Sequence, residues 1–411
     1  MSKFRKFLFM KNRKNTKELI ASPTIKTGAI KFVVEKLILL NLVKITLSIN
    51  PDPLKLVPTF RKLLKIRKAF LGTQNLTKII KSGNHFFWDM HSPGWPSKSF
   101  NAFYRDEILR AVCPDKKSSG AKLIVFSITN KCPLRCEHCY EIENLGSKES
   151  LSATDLIDII SRLKRCGLTK VGISGGEPMA RFNDMLAMIT KFGKEIDFWV
   201  LTSGYQMTEE NARKLKKAGA KGLSISADHY IPELHNAFRN SSEAFGWMET
   251  AARNGISAGL AICLTICATK EFVTRENMTN FALMARNMGA SFIQVVEPHA
   301  AGAYKDRQVS LSKEQIEILE NFFLEMNYDP KFRKFPVVAY HAFHQRRMGC
   351  IANANRYFFV DSSGNIHPCH FCRANMGNVL DDDYEQAIEK LRNYKGCRTY
   401  PVAEINFASV I

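Results

Sequence analysis

Internal repeats, low-complexity tracts and long uncharged apolar runs are all missing from this chain of 411 residues. The most apolar segment, 32–49, contains Glu35, Lys36 and Lys44. These charges argue against a membrane-spanning helix, which needs about 20 apolar residues with few charges. The apolar run Phe7–Met10 is too short for the core of a signal peptide. The sequence therefore predicts neither a spanning helix nor a cleaved leader. The length of the chain predicts two or three domains.

Acidic residues are scarce in the first 84 residues, which hold 19 Lys and Arg but three acids, Glu18, Glu35 and Asp52. This segment carries a net +16 of the chain's formal charge of +20. Basic and aliphatic residues alternate at helical spacing in Phe60–Phe70. Such helices suit an interface bearing anionic lipid. We predict that residues 1–117 form a basic, amphipathic helical extension that docks on a membrane.

Two alternatives stay open for this extension. One is a solvated helical segment that packs on the following domain. The other is RNA binding, since positive charge also attracts nucleic acid. The chain shows no nucleic-acid-binding motif, so nucleic acid is not the expected partner.

The eleven cysteines are an odd number, which argues against a disulfide framework and fits a reducing cytoplasm. Four of them fall in a loop, at a helix end or near a strand, and are predicted as buried small hydrophobic residues: Cys113, Cys166, Cys263 and Cys267. We therefore predict a cytoplasmic protein. Its N-terminal extension is predicted to attach it peripherally to the inner face of the membrane.

Three of the other cysteines, Cys132, Cys136 and Cys139, share one short loop and are followed by the aromatic Tyr140. Three thiolates on one loop can hold three irons of a cubane cluster and leave the fourth iron open to a substrate or cofactor. A structural zinc site is the alternative, but zinc needs four ligands, usually in two separated pairs. His138 as the fourth ligand would strain the loop. The spacing favours an iron–sulfur cluster.

A glycine-rich turn, Gly175–Pro178, follows a short apolar segment that begins at Val171. Glycines allow a backbone to approach a ligand closely. Glu177 would lie at the carboxyl end of a buried strand, where α/β sheets bind ligands. An ordinary turn before a helix is the alternative interpretation.

The cysteine loop and this turn, in this order, resemble the radical S-adenosylmethionine (SAM) superfamily over roughly residues 121–301. The resemblance implies a [4Fe-4S] cluster with SAM, and an electron donor such as flavodoxin or ferredoxin. It implies that Cys132, Cys136 and Cys139 hold the cluster. It also implies that the cofactor is bound by Tyr140, Gly175, Gly176, Glu177 and Pro178.

The resemblance further implies contacts to the ribose and carboxylate of SAM from Ser224, Ser226 and Arg239. The chain departs from the family pattern at two of the neighbouring positions. Ser203 and Ser226 replace the usual Asn and Asp, although Asp228 follows two residues after Ser226. Alternatively, Arg239 is a solvated helix charge and His235 a packed or capping residue.

Helix and strand signals agree with the resemblance. Ser152 is a good N-cap for a helix over Ala153–Arg165, and Thr208 precedes a helix that Gly219 ends. Six apolar strands alternate with helices, a pattern typical of a parallel α/β fold. With the resemblance, the predicted fold is a partial (β/α)6 TIM-like barrel over residues 118–332.

The remaining cysteines lie near the C-terminus, in a Cys-x13-Gly-x4-Cys pattern followed by two more: Cys350, Cys369, Cys372 and Cys397. Tyr357–Cys369 is predicted as a hairpin that turns at Gly364. The pattern resembles the auxiliary-cluster extensions called SPASM and twitch domains. Four cysteines imply one auxiliary [4Fe-4S] cluster in a small cysteine-rich domain, 333–411. A zinc knuckle or buried thiols are the alternatives.

The resemblance implies reductive cleavage of SAM to a 5′-deoxyadenosyl radical that abstracts hydrogen from a substrate. The basic N-terminus favours a membrane-associated lipid as that substrate. A peptide is the runner-up, because SPASM relatives often modify peptides. Many of those carry a leader-binding domain of strands and helices, and no hairpin is predicted here. A non-catalytic metal protein that docks on a membrane is the third candidate.

Overall fold

The computed structural model describes residues 24–50, 52, 54, 56–71, 74–112, 122–350, 357–392 and 394. Cys113, predicted as a buried thiol, and Cys397, predicted as an auxiliary ligand, lie outside these ranges. The expectations for these two cysteines therefore stay predictions.

The N-terminal part combines helices with a small sheet. Its elements are β1 (Ile25–Lys26), α1 (Gly28–Ile49), α2 (Leu56–Leu71), β2 (Ile79–Ser82), β3 (His85–Phe87) and α3 (Lys98–Val112). The strands pair antiparallel in the order β1-β2-β3. The expectation of no hairpin in this region is therefore wrong. Gly83, with φ of +56°, lies between β2 and β3, and strands this short leave almost no periodic signal.

The first helix also differs from the prediction, because apolar side chains occupy both its buried and its exposed faces. Val34 and Ile38 are buried, whereas Phe32 and Leu40 are 60% and 58% exposed. A purely solvated helix would carry polar residues on its outer face. None of the described helices is long and apolar enough to cross a membrane.

Strands and helices alternate through the centre of the chain. The elements are β4 (Leu123–Ser127), α4 (Ala153–Arg165), β5 (Lys170–Ser174), α5 (Phe182–Phe192), β6 (Asp197–Thr202), α6 (Glu209–Ala218), β7 (Gly222–Ser226), α7 (Pro232–Arg239), α8 (Ala244–Ser257), β8 (Ala261–Cys267), α9 (Arg275–Asn287), β9 (Phe292–Val296), α10 (Lys313–Tyr328) and β10 (Val337–Tyr340). Strands β4 to β10 are parallel neighbours in chain order. The fold is the predicted partial (β/α)6 barrel, and β10 adds a strand beyond residue 332.

The predicted helix signals are confirmed. Ser152 caps α4 in a reciprocal capping box with Asp155, and Thr208 caps α6 by accepting from the backbone N–H of Asn211. Gly219 ends α6 with φ of +116°, a conformation that favours glycine. These local bonds satisfy backbone groups that helix ends leave unpaired.

The C-terminal part continues the barrel sheet. It contains α11 (His341–Met348), β11 (Tyr357–Val360), β12 (Ile366–His367) and α12 (Tyr384–Arg392). β11 pairs parallel with β4 and antiparallel with β12, so the full order is β10-β9-β8-β7-β6-β5-β4-β11-β12. Gly364, with φ of +85°, lies in the turn of the predicted hairpin. Arg162 on α4 donates to the carbonyls of Leu380 (3.0 Å) and Asp381 (2.9 Å) and holds this part against the barrel.

The small N-terminal sheet covers the amino-terminal end of the barrel strands. Ile80, Phe87 and Met90 form one apolar cluster with inward-facing barrel residues that include Trp199 and Phe292. Phe87 meets Trp199 edge to face, with ring centroids 6.2 Å apart. This packing leaves the carboxyl ends of the strands free for a ligand site.

Candidate functional site

One cavity of about 1780 Å³ runs through the interior of the barrel. Its lining includes all three cysteines of the predicted cluster loop and the turn at Gly175–Glu177. It also includes the auxiliary cysteines Cys350, Cys369 and Cys372, and apolar side chains of α1 and α2. The structure therefore brings most predicted site residues to a single space. The exceptions are Pro178, which is buried behind the turn, and Cys397, which lies outside the described residues.

The cluster loop presents three thiols to this cavity from the carboxyl end of β4. Cys136 is buried, and Cys132 and Cys139 are partly buried. The Leu134 N–H donates to Cys132 Sγ at 3.4 Å, and the Arg239 guanidinium donates to Cys136 Sγ at 3.5 Å. Burial raises the pKa of the Cys132 thiol to about 12 and that of Cys139 to about 11. An N–H donor or a bound metal favours the thiolate that such burial opposes.

The donor set fits an iron–sulfur cluster shared among three sulfurs. No three His, Cys, Asp or Glu side chains within the described ranges converge on the position of a single metal ion. His138, the alternative fourth zinc ligand, stacks on Phe238 with ring centroids 4.8 Å apart. Burial lowers the pKa of His138 to about 4.

The two glycines of the turn allow the backbone to press against the cluster loop. Gly175 has φ of +140°, and a Cβ at Gly176 would lie 2.4 Å from the Lys131 carbonyl oxygen. The Gly176 N–H donates to the Thr129 carbonyl at 2.8 Å, and the Glu177 N–H donates to the Lys131 carbonyl at 2.7 Å. The turn therefore fixes the stem of the loop that carries the cysteines.

Glu177 connects the ends of β5 and β6. Its carboxylate accepts from the Thr202 hydroxyl (2.7 Å), the Ser203 N–H (2.8 Å) and the Ser203 hydroxyl (2.6 Å). Burial raises the pKa of this carboxyl, and the hydrogen bonds oppose that rise. Ser203, which replaces the Asn usual in the family pattern, therefore has a polar role in holding Glu177.

Tyr140 lies between the cluster loop and the C-terminal part. Its hydroxyl and that of Ser174 are 2.8 Å apart. Its ring lies 5.0 Å from the His370 ring, centroid to centroid, and the Arg373 guanidinium lies 5.6 Å from its centre. Arg373 also forms a 2.7 Å ion pair with Glu141. The two cysteine regions are therefore in contact through aromatic and charged side chains.

Arg239 is buried and paired, which excludes the solvated-charge alternative. It donates to Asp228 at 2.6 Å, and the two groups form a salt bridge. Burial opposes ionisation of Asp228, but Arg239 and nearby histidines hold the pKa of its carboxyl below the usual value. His235 accepts from the Asp228 N–H at 3.1 Å and is buried, which is the packed role.

Ser224 and Ser226 also line the cavity. The Ser224 hydroxyl lies 2.7 Å from that of Thr265, which donates to Gln294 at 3.1 Å. These side chains form a polar ladder across β7, β8 and β9. The roles of Ser224, Ser226 and Arg239 towards SAM stay predictions.

Two auxiliary cysteines are close in space, and the third lines the same cavity. The Cys372 N–H donates to Cys369 Sγ at 3.3 Å, and Cys372 Sγ lies 3.0 Å from the Tyr394 hydroxyl. Cys350 is buried just after α11. Because its fourth predicted ligand lies outside the described residues, the auxiliary cluster stays a prediction. Cys263 and Cys267, predicted as plain thiols, are buried on β8.

Sequence reasoning missed four residues that line the cavity away from the cluster loop and the glycine turn. They are Lys170, which lies five residues before Gly175, together with Trp199, His91 and His341. The one available signal was Lys170, a charge at the head of an apolar strand.

Comparison with known proteins agrees with this geometry. The Radical SAM superfamily model matches residues 126–273. The AdoMet-dependent heme synthase of Oleidesulfovibrio alaskensis is 24% identical over 312 residues, which cover 69% of this chain and 78% of that protein.

Two solved structures share the fold. Streptococcus suis SuiB bound to precursor peptide SuiA has a TM-score of 0.56 at 15% identity, covering 82% of this chain and 79% of that one. Native anSMEcpe with bound AdoMet has a TM-score of 0.51 at 18% identity, covering 66% and 82%. At these identities the likeness concerns the fold alone.

Proposed function

We propose that this chain, a radical SAM superfamily enzyme with its radical SAM domain over residues 126–273, cleaves SAM reductively to modify a membrane-associated lipid. The observation that carries the lipid proposal is the single cavity that joins the cluster loop to the apolar side chains of α1 and α2. A one-electron donor such as flavodoxin or ferredoxin is the proposed redox partner.

Cys132, Cys136 and Cys139 would hold a [4Fe-4S] cluster, which when bound would supply one electron for the reductive cleavage of SAM. The chain's own residues position the reactants. Glu177 and Ser203 fix the turn beside the proposed methionine site. The barrel wall keeps water from the radical and holds the substrate carbon within reach.

The cavity wall contributed by the N-terminal helices is apolar apart from Glu35 on α1. Its residues on α1 and α2 include Ile38, Leu39, Leu42, Phe60 and Leu63. Burial of hydrocarbon against such a wall is favourable by roughly 25 cal/mol per Å². This supports a substrate with a long apolar portion.

The outer face of the same helices combines exposed apolar residues with positive charge. Phe32 and Leu40 on α1 and Val57 on α2 are 60%, 58% and 57% exposed, and Lys36 and Lys44 are exposed on α1. Contiguous exposed apolar residues mark interaction sites, and basic residues next to them match anionic lipid headgroups. We infer that α1 and α2 rest on an anionic membrane.

A peptide substrate is the second candidate, and one observation favours it. The N-terminal part has a three-stranded antiparallel sheet, and SuiB, a structural neighbour, was solved with a precursor peptide. In this chain, however, β2 and β3 pack on the end of the barrel through Ile80 and Phe87. An edge strand that already serves as a barrel cover is a poor template for an added peptide strand.

Flotation with vesicles of phosphatidylcholine, with or without phosphatidylglycerol, tests the membrane proposal. We expect flotation with the anionic vesicles and its loss in the double variant F32E/L40E. Each removed apolar side chain forfeits about 2 kcal/mol of burial in the interface, roughly thirtyfold in partition.

Leu234→Glu is the matched control, because Leu234 is 49% exposed on α7, away from α1 and α2. The control should float like the unchanged protein, and all variants should form 5′-deoxyadenosine from SAM under a strong reductant. If the unchanged protein does not float, the lipid proposal is wrong and the peptide candidate takes its place.

A further inference from the structure

The buried lysine at the start of β5 has no anionic partner. Lys170 lines the cavity and is 3% exposed. Its ammonium donates to two neutral groups, the backbone carbonyls of Met90 and Ser92. Within the part of the chain that the structure describes, it forms no salt bridge with a carboxylate. A buried charge that lacks an opposite charge is costly and binds an anion readily.

The two carboxylates nearest in the fold are occupied elsewhere. Asp197 accepts from the Gly94 N–H at 2.8 Å and from the Ser99 hydroxyl at 2.7 Å. Asp89 accepts from the backbone N–H groups of His91 and Ser92, each at 2.6 Å. Both therefore hold the loop that covers the end of the barrel, and neither forms a salt bridge with Lys170. Burial lowers the pKa of Lys170 to about 8 despite these two carboxylates.

Two further polar groups beside Lys170 are buried without a partner. The Trp199 Nε1 and His91 Nε2 atoms have no hydrogen-bond partner among the described residues, and both side chains line the cavity. The Lys170 ammonium lies 4.9 Å from the centre of the Trp199 ring. His91 Nδ1 lies 3.2 Å from His341 Nε2. Burial lowers the pKa of both histidines, so each is a neutral imidazole, and the indole N–H can only donate.

We call Lys170, Trp199, His91 and His341 the floor group. Lys170 begins β5, at the opposite end of that strand from the cluster loop, whereas His341 directly follows the carboxyl end of β10. Lys170 and Ser174 are the two ends of β5, so they are about 13 Å apart at roughly 3.3 Å per residue. That separation leaves room for a substrate between the floor group and SAM.

From these contacts we infer that the floor group binds the anionic headgroup of an amphiphilic substrate, whose apolar chain extends towards α1 and α2. This orientation rests on the proposed function, because it takes the substrate from a membrane with the headgroup entering first. The headgroup is a phosphate or carboxylate, which a buried ammonium and N–H donors recognise together.

The test measures equilibrium binding of oleoyl lysophosphatidate to the full-length, cluster-reconstituted protein by anaerobic titration calorimetry. Monoolein, which has the same chain without the phosphate, and inorganic phosphate, which lacks the chain, are the comparison ligands. We expect lysophosphatidate to bind at least about tenfold more tightly than either, the effect of one charge-assisted contact. Lys170→Met should lower its affinity by at least about tenfold, and His91→Gln by a smaller factor.

Lys78→Met is the matched control. Lys78 is a second buried lysine that donates to two backbone carbonyls, Met326 (2.6 Å) and Phe332 (2.9 Å), but it does not line the cavity. Thermal unfolding of both variants separates loss of binding from loss of folding. If K170M is too unstable to titrate, His91→Gln alone must weaken the lysophosphatidate complex.

Each result supports or overturns the inference. Equal binding of monoolein, or lysophosphatidate binding that survives in K170M and H91Q, overturns it. If inorganic phosphate binds as tightly as lysophosphatidate, the substrate is not an amphiphile and the floor group is a simple anion site. Failed flotation with Lys170-dependent binding removes the proposal of a membrane lipid and leaves the floor group as a site for an anionic amphiphile, whereas flotation without Lys170 dependence removes the floor group alone.

Discussion

The two cysteine regions of this protein differ in how they are built. Cys132, Cys136 and Cys139 lie on one loop whose stem is fixed by backbone hydrogen bonds to the Gly175–Glu177 turn. Cys350 follows α11, which comes directly after β10, whereas Cys369 and Cys372 follow β12, and β10 and β12 are the two end strands of the sheet order. One loop brings the first three cysteines together, whereas Cys350 approaches Cys369 and Cys372 only through the tertiary fold.

The two cysteine regions also differ in how rigidly the neighbouring structure holds them. The turn and the cluster loop are joined by hydrogen bonds between backbone atoms. A change of side-chain rotamer cannot relieve a clash at this contact. The C-terminal part joins the barrel through backbone pairing of β11 with β4, but the segment with Cys369 and Cys372 meets the cluster loop through side chains such as Arg373. Mutations at the first region should therefore act on the whole reaction, and mutations at the second on part of it.

The largest expected effect is the loss of all SAM cleavage in Cys136→Ala. Removing one of three ligands on the loop leaves too few thiolates for the cluster. Anaerobic reconstitution, iron analysis and 5′-deoxyadenosine formation measure the effect. Cys166→Ala, at the end of α4, is the control and should keep both iron and activity. Turnover by C136A would contradict the assignment of the loop.

A partial loss is expected in Cys369→Ala. If the C-terminal cysteines hold one [4Fe-4S] cluster, iron should fall from about eight to about four per chain. Formation of 5′-deoxyadenosine without substrate should continue, because the cluster loop is intact. Unchanged iron content in C369A would contradict an auxiliary cluster and favour the zinc or buried-thiol alternative.

The smallest effect is expected in Gly176→Ala, which disturbs the packing of the turn against the cluster loop but removes no cluster ligand. In Gly176→Ala the new Cβ would meet the Lys131 carbonyl at 2.4 Å, and we expect a loss of about 1–3 kcal/mol in unfolding free energy with reduced cluster content. Chemical denaturation and iron analysis measure both effects. In Gly246→Ala, on α8, the new Cβ has no neighbour within 4 Å, so a helical alanine should be neutral or stabilising. If the two variants have the same unfolding free energy and iron content, the close approach of the Gly176 backbone to the cluster loop contributes to neither.

The N-terminal part shows where sequence patterns stopped being informative. The helical spacing of Phe60–Phe70 predicted α2, but β1, β2 and β3 are two to four residues long. Strands that short depend on the barrel end they cover, and that surface is assembled from residues such as Trp199 and Phe292 far along the chain.

The sequence by itself determined the cluster loop, the glycine turn and the alternation of strands and helices, because each rests on neighbours within a few residues. The spacing of cysteines on one loop and the periodicity along one helix or strand can be recognised without knowledge of the fold. Only the tertiary structure decided that Glu177 is held by Ser203, that Arg239 is paired with Asp228, and that one cavity links the cluster loop to α1 and α2. It also placed Lys170 beside Trp199 and His91 at the far end of that cavity. Those contacts join residues from 11 to about a hundred positions apart, and only the folded barrel brings them together.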